Sequence, residues 1–133
     1  MSFATLFKLA LTSALMSVAF TGLAPARTQA DPPATGSTAI VSMAELPKQG
    51  RETYERIRQG GPFPFEKDGT VFFNREKQLP QAARGYWREY TVMTPGSRDR
   101  GARRIVCGGQ RPTRPDACYY TADHYASFKL IAP

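Results

Sequence analysis

Hydrophobic positions fall into three patterns along the chain, and each predicts a different kind of element. From Leu9 to Ala26 apolar residues run on with only small, hydroxylated or proline interruptions and no acid. That run is shorter and more mixed than the roughly 20 apolar residues of a membrane span. With Lys8 ahead and the small-x-small triplet Thr28-Gln29-Ala30 behind, residues 1–30 read as a secretory signal peptide. The cut is placed after Ala30, with Ala24 and Ala26 as earlier sites and a retained anchor as the alternative.

The second pattern has helical spacing. Leu46, Tyr54 and Ile57 can share one side, Pro47 suits a first helical position, and Gly60-Gly61 supplies the stop. So narrow an apolar face predicts a helix that covers a sheet rather than one in a bundle. Ahead of it, residues 31–45 read as a turn-rich spacer in which Ala39 to Ser42 form a short strand or the lead-in to the helix.

The third pattern is a series of short β-prone runs between turn signals: Thr70 to Phe73, Tyr86 to Met93, Arg103 to Cys107, Tyr119 to Thr121 and Phe128 to Ile131. A helix followed by closely linked strands predicts an α+β domain with an antiparallel sheet. Its 133 residues leave room for one small domain.

Charge changes this picture by suggesting a partner. The chain carries 18 basic and 11 acidic residues. Only Lys8 and Arg27 of these fall in the first 30 residues, which leaves residues 31–133 at a net +5. A basic excess favours a polyanion, nucleic acid or an anionic surface, although solubility alone also makes secreted proteins basic. Cys107 and Cys118 are separated by ten residues rich in Gly and Pro. Export permits a bridge across the base of that loop, contributing about 3 kcal/mol in the loop-entropy model; two free thiols are the alternative. One histidine and no second cysteine pair argue against a zinc site.

Four features carry candidate chemistry. Glu89 interrupts an aromatic strand, on the same face as Trp87 and Thr91; among aromatics a carboxylate is a candidate acid–base group, although a lone strand glutamate more often faces water. Arg98, Arg100, Arg103 and Arg104 lie within seven residues without a lysine, as geometric phosphate recognition or a solvated turn would have it. Strand alternation lets only one of Arg103 and Arg104 face the side of Glu89. His124 is the single histidine and can exchange a proton near neutrality. Together these supply a base, an acid and cationic charge, the minimum for metal-free phosphodiester cleavage. Finally, Asn74-Arg75-Glu76 follows an extended aromatic segment. A carboxylate there can accept two hydrogen bonds from guanine, with backbone N–H groups donating to O6 and an aromatic ring stacking on the base.

The segments GPFPFEKDGTVFFNRE (Gly61 to Glu76), YWREYTVMTPGSRDRGARRIVCGG (Tyr86 to Gly109) and YYTADHYASFKLI (Tyr119 to Ile131) together resemble the bacterial guanyl-specific ribonucleases, the secreted barnase and Streptomyces-type microbial family. The resemblance covers about Leu46 to Ile131 and makes residues 46–133 the ribonuclease domain. It implies an N-terminal helix packed on a twisted antiparallel β-sheet. It also implies cleavage of single-stranded RNA after guanosine, through a 2′,3′-cyclic phosphate that is then hydrolysed. On this resemblance Glu89 is general base and His124 general acid, exchanging roles in the second step. Arg100 and Arg104 hold the scissile phosphate, helped by Arg75. Glu76 takes the guanine N1–H and N2–H, the backbone of Asn74 and Arg75 meets O6, and Phe72 and Tyr125 flank or stack on the base. The family implies no metal or other cofactor, a monomer without stable membrane association, and an acidic barstar-like inhibitor as a cytoplasmic partner. Phe73 departs from the family pattern, in which that position is usually polar. The cysteine pair is a local alternative to the bridge between chain ends that some relatives carry.

Two other classes compete. A non-catalytic basic RNA-binding module needs the arginines and aromatics but gives no reason for Glu89 and His124. A membrane-active cationic toxin expects a basic amphipathic helix, whereas this helix carries Glu52 and Glu55.

Overall fold

A computed structural model describes residue 22 and residues 38–133. Apart from residue 22, the proposed signal peptide and its cleavage site lie outside the described residues. The chain divides after Pro33, and residues 34–133 form one compact unit that holds every described element. Among the described residues, no helix is long and apolar enough to cross a membrane.

The unit is α+β, with one helix on a six-stranded sheet. In chain order the elements are β1 (Ala39–Ser42), α1 (Lys48–Gln59), β2 (Thr70–Val71), β3 (Trp87–Thr91), β4 (Arg104–Gly108), β5 (Ala117–Thr121) and β6 (Lys129–Ala132). The strand order is β1-β6-β5-β4-β3-β2. The antiparallel expectation holds for β2 through β6 but not for the sheet's other edge. There β1 runs parallel to β6, with Ala39 opposite Lys129 and Ser42 opposite Ala132. Parallel neighbours need a long connection. Here α1 and four strands provide it, so the sheet is mixed.

The chain enters α1 through Pro47, which is the N-cap rather than the first helical residue because its ψ of 150° is extended. Its carbonyl still accepts the N–H groups of Gly50 and Arg51. Gly60 ends the helix in the left-handed region, at φ 83°, where a side chain would be strained. Ile57 and Leu46 are buried against Val41, Tyr90, Val92, Ile105, Tyr120 and Ile131. Each such aliphatic side chain contributes roughly 1.5–3 kcal/mol by leaving water. Thr53 adds a buried polar tie, its Oγ1 donating to the Thr91 carbonyl at 3.2 Å.

Cys107 and Cys118 are bridged, directly opposed across β4 and β5 with Cα atoms 4.1 Å apart. The bridge belongs to the helix-side core. The other face of the sheet is also apolar: Leu79, Trp87, Val106 and Tyr119 are buried, with Phe72, Tyr125 and Phe128 packed against them. This second face carries the candidate chemistry.

Candidate active site

Alternation along β3 places Trp87, Glu89 and Thr91 on the face away from α1. Cross-strand pairing extends that face through Arg104 and Thr121, because Thr91 opposes Arg104 and Arg104 opposes Thr121. Arg104 is therefore the arginine of its pair that shares a side with Glu89. Arg103 points the other way, where its charge acts on the Tyr120 phenol.

Both oxygens of Glu89 are engaged. Arg100 Nη2 donates to Oε1 at 3.1 Å, and the Tyr125 hydroxyl donates to Oε2. The Glu89 side chain is 14% exposed, so water screens this ion pair only in part. Arg100 is itself held by Thr91, whose Oγ1 accepts from Nε at 3.0 Å. Arg104 lies deeper, 3% exposed. Its Nη1 donates to the carbonyls of Gly101 at 2.9 Å and Arg103 at 2.8 Å, while its buried Nε has no partner among the described residues. A buried donor without an acceptor is costly, and an anion is the acceptor that fits it.

His124 and Tyr125 stand on the turn after β5, and both are left-handed, at φ 54° and 72°. Such conformations cost of order 1–3 kcal/mol each and persist only where neighbours enforce them. Asp123 does the enforcing. It accepts from Thr121 Oγ1 at 2.8 Å, the Ser127 N–H at 2.9 Å and Ser127 Oγ at 2.6 Å. These bonds, chiefly the one from the Ser127 hydroxyl, hold its pKa down to about 2. The Ala102 carbonyl accepts the His124 N–H at 3.0 Å, tying the turn to the arginine segment. Burial, aided by the bond to Glu89, pushes the Tyr125 phenol up to about 12.

The third part is the turn that follows β2. The strand expected to reach Phe73 pairs only through Val71. The Phe72 N–H still reaches the Trp87 carbonyl at 2.9 Å, and Asn74, at φ 49°, then swings the chain away. Asn74 turns its side chain inward, donating to the Leu79 carbonyl at 2.8 Å and accepting the Leu79 N–H at 3.1 Å. Among the described residues, the backbone N–H groups of Asn74, Arg75 and Glu76 make no hydrogen bond. Glu76 is exposed, and its carboxylate accepts from Gln78 Nε2 at 3.4 Å. The same amide donates to the Tyr125 carbonyl at 3.1 Å. Gln78 thus links the two loops. Sequence reading missed it because the bond joins residues 47 positions apart.

A cavity of about 440 Å³ brings Phe72, Asn74, Arg75, Glu76, Glu89, His124 and Tyr125 onto one surface, with Gln78 and Phe128. Arg100 and Arg104 do not line it; they adjoin it through Glu89 and the Tyr125 ring. Phe72 and Tyr125 stack on each other at 5.1 Å, too close to admit a base between them. A base therefore meets an outer ring face. The Arg75 guanidinium lies 5.6 Å from the centre of the Phe73 ring. Among the described residues, no group of three or more His, Cys, Asp or Glu could hold a metal ion.

Comparison with known proteins places the chain among ribonucleases. A ribonuclease family model matches residues 28–132. Guanyl-specific ribonuclease Sa3 of Kitasatospora aureofaciens is 54% identical over 91 residues, which is 68% of this chain and 62% of that protein's length. Guanyl-specific ribonuclease St of Saccharopolyspora erythraea is 52% identical over 90 residues, 68% of this chain and 84% of its own length. The structure of ribonuclease Sa2 complexed with mononucleotides is 46% identical and superposes with a TM-score of 0.67, covering 72% of this chain and 95% of that one. Ribonuclease Sa2 has also been solved with guanosine-2′-cyclophosphate and with 3′-GMP. The chain belongs to the microbial guanyl-specific ribonuclease family.

Proposed function

We propose that the chain is a secreted endoribonuclease that cleaves single-stranded RNA 3′ of guanosine. The observation that carries this reading is a carboxylate clamped by Arg100 and Tyr125 on the same cavity as His124 and Glu76. The guanosine ligands of the similar ribonuclease Sa2 support it.

In the first step Glu89 takes the proton of the guanosine 2′-OH, and that oxygen attacks the 3′ phosphorus. The P–O5′ bond breaks, and His124 gives a proton to the departing 5′ oxygen. In the second step His124 takes a proton from water, the hydroxide opens the 2′,3′-cyclic phosphate, and Glu89 returns its proton to O2′. A 3′-phosphate remains. Arg100 and the unpartnered Nε of Arg104 face the charge that builds on the phosphoryl oxygens. Glu76 accepts from guanine N1–H and N2–H, and the N–H groups of Asn74 and Arg75 donate to O6. DNA binds without being cut, since it lacks the attacking hydroxyl.

On the same reading the chain is exported after cleavage near Ala30 and acts as a monomer. An acidic barstar-like inhibitor protects the producing cell, its charge matched to the basic site.

The test uses residues 31–133 in EDTA with DNA oligonucleotides that each carry one ribonucleotide. Cleavage only 3′ of the ribo-G, through a cyclic phosphate, is the expected result. Equal cleavage at all four bases would remove Glu76 from its role. Tight, salt-sensitive binding without cleavage would favour the non-catalytic RNA-binding module.

A further inference from the structure

Phe73, which departs from the family pattern, has no place in the chemistry above, yet it is 53% exposed. Two guanidiniums cover its ring, Arg75 at 5.6 Å and Arg84 at 5.3 Å from the centroid. Beside it lies a second cavity, of about 330 Å³. Residues 71–74 line both cavities, so this segment is the wall between them. Glu89, His124 and Tyr125 line only the first; Lys77, Gln81, Arg84 and Trp87 line only the second. No carboxylate lines the second cavity, and its two charged residues are Lys77 and Arg84.

We propose that this cavity binds the nucleotide on the 5′ side of the recognised guanosine. The inference rests on the ribonuclease reading, which sets the direction of the strand. The 3′ phosphate of guanosine goes to Glu89 and His124, so the 5′ side of the chain leaves across the wall formed by residues 71–74. An exposed aromatic ring already covered by cations is a platform for a base joined to a phosphate, and stacking accepts any base. The base replaces the Arg84 guanidinium over Phe73. The freed guanidinium, with Lys77, then holds the phosphate that links this nucleotide to guanosine.

Two measurements separate this subsite from the catalytic reading. The first compares kcat/KM for GpN and for NpGpN. The second compares binding of the uncleavable deoxynucleotides d(NpGp) and dGp, which requires no turnover. In the unmodified protein the extra 5′ nucleotide is expected to raise kcat/KM about tenfold, mainly through KM, and to tighten deoxynucleotide binding by about as much. Arg84→Ala should lose most of both gains while cleaving GpN as before, and Phe73→Ser should lose the binding gain. Arg84 is exposed and its loss leaves no cavity, so a folding defect will not mimic the result. No gain from the 5′ nucleotide, or an equal loss on GpN and NpGpN in Arg84→Ala, overturns the subsite. Tighter binding of d(NpGp) without cleavage of any RNA overturns the catalytic reading and leaves the subsite standing.

Discussion

The Tyr125 hydroxyl donates to Oε2 of Glu89 across 36 residues of sequence, while Arg100 occupies the other carboxylate oxygen. The carboxylate is thereby fixed in one orientation, yet each oxygen retains a second lone pair. One of these can take a proton from a substrate hydroxyl without breaking the clamp. Glu89→Gln keeps the shape and removes that capacity. Its kcat is expected to fall by about 10²–10⁴-fold, as for loss of a general base. Affinity for 3′-GMP should change little, and calorimetric titration beside steady-state kinetics checks both.

Tyr125 joins two roles, donor to Glu89 and ring partner of Phe72, and Tyr125→Phe separates them. The stack remains while the donor is lost, so kcat should fall roughly tenfold, the effect of one charge-assisted hydrogen bond. The variant also has a pH signature. The phenol is raised from an ordinary 10 to about 12, so the folded state favours its protonated form. Its contribution to stability is complete below pH 10 and is lost as pH rises toward 12. Denaturant unfolding across that window should show a shallower decline for Tyr125→Phe than for the unmodified protein. Some decline will remain, because burial also raises Tyr90 and Tyr120.

Asp123 makes no contact with the candidate chemistry but holds the turn that carries His124. Its pKa, depressed from 3.8 to about 2, means that its bonds stabilise the fold above pH 3.8 and fail as pH falls through 2. Asp123→Asn should unfold at higher pH in an acid titration followed by circular dichroism. At neutral pH its kcat should drop by roughly tenfold, the cost of a small displacement of a reacting group. An unchanged kcat would release the turn from any positioning role.

Much of this site was legible because strand alternation is a local rule. Period-two spacing alone put Glu89 with Trp87 and Thr91 and separated Arg104 from Arg103. The helix was legible through the glycines that stop it. The parallel pairing of β1 with β6 was not, because no local pattern announces a partner about 90 residues away. The inward turn of the Asn74 side chain also escaped: the sequence offers Asn74 through its backbone and says nothing of the side-chain amide, which is consumed in shaping the loop. Stacking of Phe72 on Tyr125 depends on the depth of the second aromatic cluster, which forms only once β3, β4 and β5 align.

Base preference should reside in Glu76. Its carboxylate is exposed, with a single long hydrogen bond from Gln78, so it is available to two guanine donors. Glu76→Gln replaces one acceptor by a donor that meets guanine N–H groups head-on. The kcat/KM ratio of GpN to ApN is expected to fall at least tenfold, since each well-formed pair of such bonds discriminates by about 1–3 kcal/mol. Cleavage of ApN itself should be nearly unchanged, because adenine makes no use of the carboxylate. Gln78→Ala is the companion measurement. Gln78 ties Glu76 to the Tyr125 backbone, so its removal should lower the same ratio by a smaller factor. If Gln78→Ala slowed GpN and ApN equally, Gln78 would be holding the acid–base side of the cavity rather than the guanine side.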